Sequence, residues 1–379
     1  MSGVRRCVPR RRTTVIKVSS SSRESSVVVR PIPPGSAFYT AGSRLQAAGL
    51  KRAITLFEQA AQVVPIPAAP RPIVLADYGA ANGHNSLLPI SAAIAVLRQR
   101  TRTEHSIMVT HTDVPDNDFS ALFHILAEDP DSYLKKDPAA YASAVGRSYY
   151  AQIIPSNSVN LGWSAWSVLW LGRVPAPVPD HIHASFSADA QVRAAHQKQA
   201  AFDWHEFVAF RGRELCPGGR AVVLTMAVSE DGEFGYRPVL QALMAELTEL
   251  AARGVITDAE LSRMNIPIAG RRAADFHSPF APSGRLEQLA IEHLEVFDAE
   301  DRFWRQYQID GDARHFGAEW AAFMRAAVFP ALTGVLPADR RPVFADALEA
   351  GVAARLAAAP EQIQIPLAVV VLHKRPKTY

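Results

Sequence analysis

Cysteine is almost missing from this chain: Cys7 and Cys216 are the two in 379 residues. So distant a pair supports neither a disulfide framework nor a cysteine zinc site, and it fits a reducing, cytoplasmic setting. Long hydrophobic runs are also lacking. The densest, Pro366-Leu367-Ala368-Val369-Val370-Val371-Leu372, has the length of a buried strand and falls well short of the ~18 to 20 residues that span a bilayer. There is no HExxH pair, and His111, His181 and His183, the histidines most open to metal coordination, are read as ordinary hydrogen-bonded residues near strand ends, so no metal is expected. No internal repeat and no nucleophile–base triad stand out either.

A net positive balance is lacking outside one end. Eight arginines and lysines against the single Glu24 give residues 1–30 a charge of +7, which leaves −4 for residues 31–379 out of the overall +3. A mildly acidic body argues against a nucleic-acid-binding core, because phosphate neutralisation needs basic surface on the folded domain. The tail, residues 1–36, is rich in arginine and serine with little apolar periodicity, and reads as a disordered extension. Its composition also suits a transit peptide or an anionic surface.

What is present is a substantial core, with 48% apolar residues, and a regular alternation of apolar runs with longer amphipathic stretches. That alternation predicts an α/β sheet with crossover helices. Strands are expected at residues 73–77, 106–111, 158–163, 220–226 and 367–373, and helices at 85–100, 119–127 and 191–215, with Pro217-Gly218-Gly219 as a tight link between helix and strand. Residues 37–228 and 366–379 form the expected α/β domain. Residues 229–365 read as a mainly helical cap contributing to a substrate pocket, without clear strand signals.

Two motifs carry the chemistry. Tyr39-Thr40-Ala41-Gly42-Ser43-Arg44-Leu45-Gln46 places Ser43 and Gln46 at i and i+3, on one helical face. Leu75-Ala76-Asp77-Tyr78-Gly79-Ala80-Ala81-Asn82-Gly83-His84-Asn85 leaves a buried strand through small residues that let a ligand approach the backbone. Without GxGxxG spacing, a nucleoside ligand is favoured over a dinucleotide. Asp113, ending the next strand, has the chemistry to accept hydrogen bonds from two ribose hydroxyls, with Val114 beside the base. An ordinary βα turn and an N-cap aspartate are the plain structural alternatives.

Taken in order, Tyr39-x3-Ser43-x2-Gln46, Ala76-Asp77-x-Gly79-x3-Gly83-x-Asn85, Asp113-x-Pro115-x-Asn117-Asp118-Phe119, Trp170-Leu171-x2-Val174-Pro175, Pro217-Gly218-Gly219 and Asn265-Ile266-Pro267 resemble the SABATH family, in a bacterial-type form. These are S-adenosylmethionine-dependent methyltransferases named for salicylic acid, benzoic acid and theobromine. The resemblance runs over residues 38–375 and implies a Rossmann-like class I methyltransferase sheet with a helical cap over the active site.

Position by position, it implies that Ser43 and Asn85 hold the methionine moiety of S-adenosylmethionine, Asp77 and Gly79 make the glycine-turn contacts, Asp113 and Val114 meet ribose and adenine, and Ser148 and Tyr149 flank the adenine. Tyr149 stands where phenylalanine is more usual. Gln46 and Trp170 are implied to donate hydrogen bonds to the acceptor carboxylate. Both are neutral donors that fix an anion without an ion pair. A carboxylic acid is ionised at neutral pH, with an ordinary pKa of about 4, so no general base is needed and rate comes from alignment and exclusion of water.

Trp163, Trp166 and Trp170 share a face if their segment is helical, and the ordinary reading of such a stripe is core. Trp163 replaces a frequent histidine and is kept as a substrate-pocket candidate. Counting back from Asn265-Ile266-Pro267 puts pocket positions at Val239 and Leu240, where a tryptophan gives way to leucine; packed helix residues are the alternative. The expected reaction is methyl-ester formation on a hydrophobic small-molecule carboxylic acid, foremost a medium- or long-chain fatty acid. Alternatives are an aromatic acid, a ring nitrogen, or a cofactor-binding partner protein without catalysis. The family resemblance adds a homodimer; no nucleic acid and no stable membrane insertion are expected.

Overall fold

A computed structural model describes residues 37–376, with side chains from residue 49 onward. In chain order the elements are α1 (Ala37–Val63), β1 (Ile73–Tyr78), α2 (His84–Arg98), β2 (Ile107–Asp113), α3 (Phe119–Glu128), α4 (Tyr133–Lys136), β3 (Ala140–Gly146), β4 (Val159–Ala165), α5 (Ala190–Glu214) and β5 (Leu215–Met226). Then follow α6 (Arg237–Ala252), α7 (Asp258–Leu261), α8 (Ala273–His277), β6 (Leu289–Asp298), α9 (Arg302–Asp310), α10 (Ala313–Ala327), α11 (Phe329–Thr333), α12 (Arg341–Ala358) and β7 (Pro366–Lys374). The basic tail and the disorder expected of it lie outside the described residues.

The seven strands form one sheet in the order β3-β2-β1-β4-β5-β7-β6. From β3 to β5 neighbours run parallel, whereas β7 is antiparallel to both β5 and β6. The order reverses between β1 and β4, and ligands of such sheets bind outside the carboxyl ends of the strands at that point.

The continuous apolar run of β7 has a direct explanation. Leu367, Val369 and Val371 join the cluster containing Phe57, Leu75, Val109 and Trp163, while Ala368, Val370 and Leu372 join that containing Tyr78, Trp204 and Phe207. Alternate residues face opposite sides of a strand, so a strand covered on both faces must be apolar throughout. Fully burying each large aliphatic side chain there contributes roughly 1.5–3 kcal/mol.

All five expected strands are present, four with small shifts at their ends and β5 starting five residues earlier than expected, at Leu215. Pro217-Gly218-Gly219 lies inside β5, where the register against β4 shifts, rather than between the helix and the strand. Two strands were not expected. β3 (AYASAVG) is short on large apolar residues, and β6 lies within residues 229–365, the stretch without clear strand signals. Those residues are otherwise mostly helical. α10 and α12 approach so closely that a β-carbon on Gly317 would stand 2.2 Å from the Ala353 carbonyl oxygen, which only glycine permits.

Candidate functional site

Four loops leave the carboxyl ends of neighbouring strands: 79–83 after β1, 114–118 after β2, 147–150 after β3 and 166–172 after β4. Each carries or adjoins residues singled out from the sequence.

The first loop turns through the left-handed region at Gly79, Ala81 and Gly83, with φ of 85°, 48° and 83°. The N–H groups of Gly79 and Ala80 donate to the Thr112 carbonyl at 2.8 and 3.0 Å, and the Asn117 amide donates to the Ala81 carbonyl at 2.8 Å. Asp113 completes the junction: one carboxylate oxygen accepts from Ala81 N–H and the other from Val114 N–H, both at 2.8 Å. Each oxygen retains a lone pair for a further donor. Burial pushes the Asp113 carboxyl above its ordinary pKa, and the two N–H groups oppose that rise. Val114 is half-buried beside it, as is Asn85 in the first turn of α2.

Asp77 is only 1% exposed. One carboxylate oxygen lies 2.8 Å from His111 Nδ1, and His111 Nε2 lies 2.9 Å from the Tyr133 hydroxyl. The arrangement commits that oxygen to holding β1 against β2 beneath the turn.

In the third loop, Ser148 Oγ accepts from Tyr150 N–H at 3.2 Å. The Tyr149 hydroxyl donates to the Ser167 carbonyl at 2.8 Å, and the Tyr150 hydroxyl donates to the Trp170 carbonyl at 2.6 Å, 3.3 Å from that of Val168. The two rings meet edge to face with centroids 4.7 Å apart. Behind them Arg211 and Glu214, both fully buried, form a pair at 2.9 Å. Arg211 also donates to the carbonyls of Tyr149 and Ala151, and Glu214 accepts from the N–H groups of Ile153 and Ile154 and the hydroxyl of Tyr78. With every lone pair employed, this ion pair fixes residues 149–154 without an orphaned charge.

The fourth loop is fastened from its other side as well. Arg271, buried, donates to the Val168 carbonyl at 2.7 Å, and buried Asp203 accepts from Gly172 N–H at 2.8 Å. Trp170 is half-buried and forms an isolated antiparallel bridge with Ile268, next to Pro267 of the Asn265-Ile266-Pro267 motif. The three tryptophans do not form a helical stripe. Trp163 is in β4, 1% exposed, with its ring centroid 4.9 Å from that of Phe57; Trp166 sits at a φ of 60°; Trp170 lies in the loop. Their spacing mimicked a helix because a strand, a turn and a loop succeed one another over eight residues.

The structure thus gathers Gly79, Asp113, Val114, Ser148, Tyr149 and Trp170 at one edge of the sheet. Asp77 supports that edge from below. Val239 and Leu240 are 0% and 2% exposed on α6, packed among apolar neighbours, and Trp163 is equally enclosed. Ser43 and Gln46 lie on α1, but their side chains fall outside the described residues. Sequence reading did not single out Tyr150, Ser167, Asp203, Arg211, Glu214 or Arg271. The doubled Tyr149-Tyr150 was the one signal available; the buried charges have no spacing that announces them. His181 and His183 lie between β4 and α5, and among the described residues no three histidine, cysteine, aspartate or glutamate side chains cluster as a metal site.

The seven-stranded sheet with its crossover helices is a Rossmann-like class I methyltransferase fold. The chain belongs to the SAM dependent carboxyl methyltransferase family, which it matches over residues 34–375. It is similar to salicylate carboxymethyltransferase of Clarkia breweri, 26% identical over 274 residues that cover 69% of this chain and 74% of the relative. It is also similar to anthranilate O-methyltransferase 1 of Zea mays, 25% identical over 311 residues, 75% of this chain and 80% of the relative. A structure of loganic acid methyltransferase with SAH shares the fold with a TM-score of 0.72 at 18% identity, over 92% of this chain and 99% of that one.

The protein is therefore an enzyme, and its methyl donor is S-adenosylmethionine. The residues present fit that donor: a small-residue turn for close approach, an Asp113 carboxylate with lone pairs to spare for hydroxyl groups, and the Tyr149 ring, one carbon of which lies 3.5 Å from where a Gly79 β-carbon would be. Among the described residues no helix is long and apolar enough to cross a membrane.

Proposed function

We propose that the enzyme converts a hydrophobic free carboxylic acid, foremost a medium- or long-chain fatty acid, to its methyl ester. The observation carrying this reading is the placement of Trp170. It stands in a loop pinned by Tyr149 and Tyr150 on the cofactor side and by Arg271 and Asp203 on the other, where a neutral N–H donor can orient an anion.

When bound, S-adenosylmethionine would supply an electrophilic methyl carbon to a carboxylate oxygen, with S-adenosylhomocysteine as the leaving group. The chain's own part is to hold the acid. Gln46 and Trp170 would donate to the carboxylate and leave an oxygen lone pair free to attack, and as neutral donors they form no ion pair with it. Asp113, Val114, Ser148 and Tyr149 would hold the nucleoside end and Ser43 and Asn85 the methionine end, with Asp77 and Gly79 making the glycine-turn contacts. Because the acid is already ionised, with an ordinary pKa of about 4, no side chain has to remove a proton.

The aliphatic preference rests on the family resemblance, which puts bulky pocket side chains at Val239 and Leu240 and a tryptophan where this chain has leucine. A second reading, an aromatic acid, is favoured by relatives named for salicylate and anthranilate. Cytoplasmic placement, from the near absence of cysteine, and a homodimer, from the family resemblance, belong to the same proposal. The test is incubation with methyl-labelled donor and octanoate, longer fatty acids, salicylate, benzoate or xanthine. Labelled esters of the aliphatic acids alone support the first reading; labelled salicylate or benzoate replaces it with the second, and labelled xanthine overturns both.

A further inference from the structure

We propose that Tyr150 is a positioning residue that joins the two half-sites, so that binding of the nucleoside and binding of the acid reinforce one another. The inference rests on the reading of Trp170 as a carboxylate donor. Ser148 and Tyr149 flank the nucleoside on that same reading, and Tyr150 is the next residue in the turn. Between them, the hydroxyls of Tyr149 and Tyr150 reach the backbone of the Trp170 loop at two points, the carbonyls of Ser167 and Trp170, 2.8 and 2.6 Å away.

The hydroxyl of Tyr150 is the single donor to the Trp170 carbonyl among the described residues, whereas the Ser167 carbonyl also accepts from Trp170 N–H at 3.0 Å. Ser167 in turn touches the first loop, its hydroxyl lying 3.2 Å from the Gly79 carbonyl and 3.1 Å from that of Ala165. The glycine turn, the tyrosine pair and the acceptor loop therefore form one hydrogen-bonded unit. A ligand that fixes residues 148–150 fixes the peptide carrying Trp170 through that unit. Ordering entropy lost in the first binding event is not lost again in the second, which is positive coupling without a large displacement. By linkage the effect is reciprocal.

The test uses the full chain. Octanoate and salicylate are titrated calorimetrically with and without saturating S-adenosylhomocysteine, in the wild type and in Tyr150→Phe, which keeps the ring and loses the hydroxyl. Wild type is expected to bind its acid at least about 5-fold more tightly with the nucleoside present, the lower bound of ordinary allosteric coupling. In Tyr150→Phe that factor should fall below about 2, with S-adenosylhomocysteine affinity in the absence of acid and the thermal midpoint close to wild type. A purely structural tyrosine would instead lower affinity and midpoint together and leave the factor alone.

Equal factors in the two proteins overturn the inference and spare the carboxylate reading. If neither acid binds loaded wild type, both are overturned. Hydrogen exchange of wild-type amides 170–172 needs no variant: S-adenosylhomocysteine should slow it, and an unchanged rate overturns the coupling even if Tyr150→Phe does not fold.

Discussion

Gly79 lies so close over Ser167 that a β-carbon on the glycine would stand 2.0 Å from the serine hydroxyl oxygen. Its φ of 85° adds a second objection to any side chain. The left-handed conformation alone costs an L-residue about 1–2 kcal/mol, and the clash must displace Ser167 besides. Gly79→Ala should therefore lower the thermal midpoint and weaken S-adenosylhomocysteine binding in titration. An alanine variant with wild-type affinity would mean that the turn does not shape the nucleoside site.

Trp170→Phe keeps an aromatic ring in the loop and removes its only donor. Hydrogen bonds to charged groups contribute about 1.5–3 kcal/mol, so kcat/KM for the acid should fall by roughly 10- to 150-fold by the same figure. Affinity for S-adenosylhomocysteine should stay unchanged. Steady-state kinetics with a nucleoside titration separates the two quantities, and a loss confined to nucleoside affinity would remove Trp170 from the acceptor side.

Gln46→Ala and Asp113→Ala should separate in the same way but in opposite directions. The first is expected to depress acid turnover while sparing cofactor affinity, and the second to weaken the cofactor first. Isotope-based turnover and equilibrium binding on both variants provide the check. Parallel losses would show that the roles are wrongly divided.

A pH effect on stability follows from His183. It is fully buried, its ring stacks on Phe234 with centroids 4.4 Å apart, and its Nδ1 accepts from Ser185 N–H at 3.2 Å. Burial, helped by His181 and His196, pushes its pKa down to about 3, against an unfolded value near 6.5. Above the unfolded value neither state binds the proton, so nothing is lost. As pH falls below it the unfolded chain alone takes up the proton, and stability declines by about 1.4 kcal/mol per pH unit from this site until about pH 3. His183→Phe should flatten the decline measured by urea unfolding between pH 7 and 5; an identical slope would exclude His183 as its source.

Much of the sheet was legible because its central strands are buried on both faces and carry apolar runs, as at residues 73–76 and 366–372. β3 and β6 escaped because they stand at the two edges, where half-exposed residues dilute the pattern: AYASAVG is mostly small, and LAIEHLEVFD mixes charge with apolar side chains. The glycine turn and Asp113 were readable from chain order, since a strand followed by small residues constrains backbone shape directly. What joins the loops to one another was not. Tyr150 to Trp170, Arg271 to Val168 and Asp203 to Gly172 are contacts between a side chain and a distant peptide group, for which the partner's identity leaves no trace in sequence.

The last strand, β7, is inserted between β5 and β6. Until it emerges from the ribosome, both of those neighbours lack a partner along one whole edge, and the apolar residues it covers remain open to solvent. β5 and β6 can therefore join one sheet only after residues 366–374 have been made, and their facing edges stay unpaired until then. Removing residues 366–374 would detach β6, which pairs with no other strand among the described residues, and bare one edge of β5.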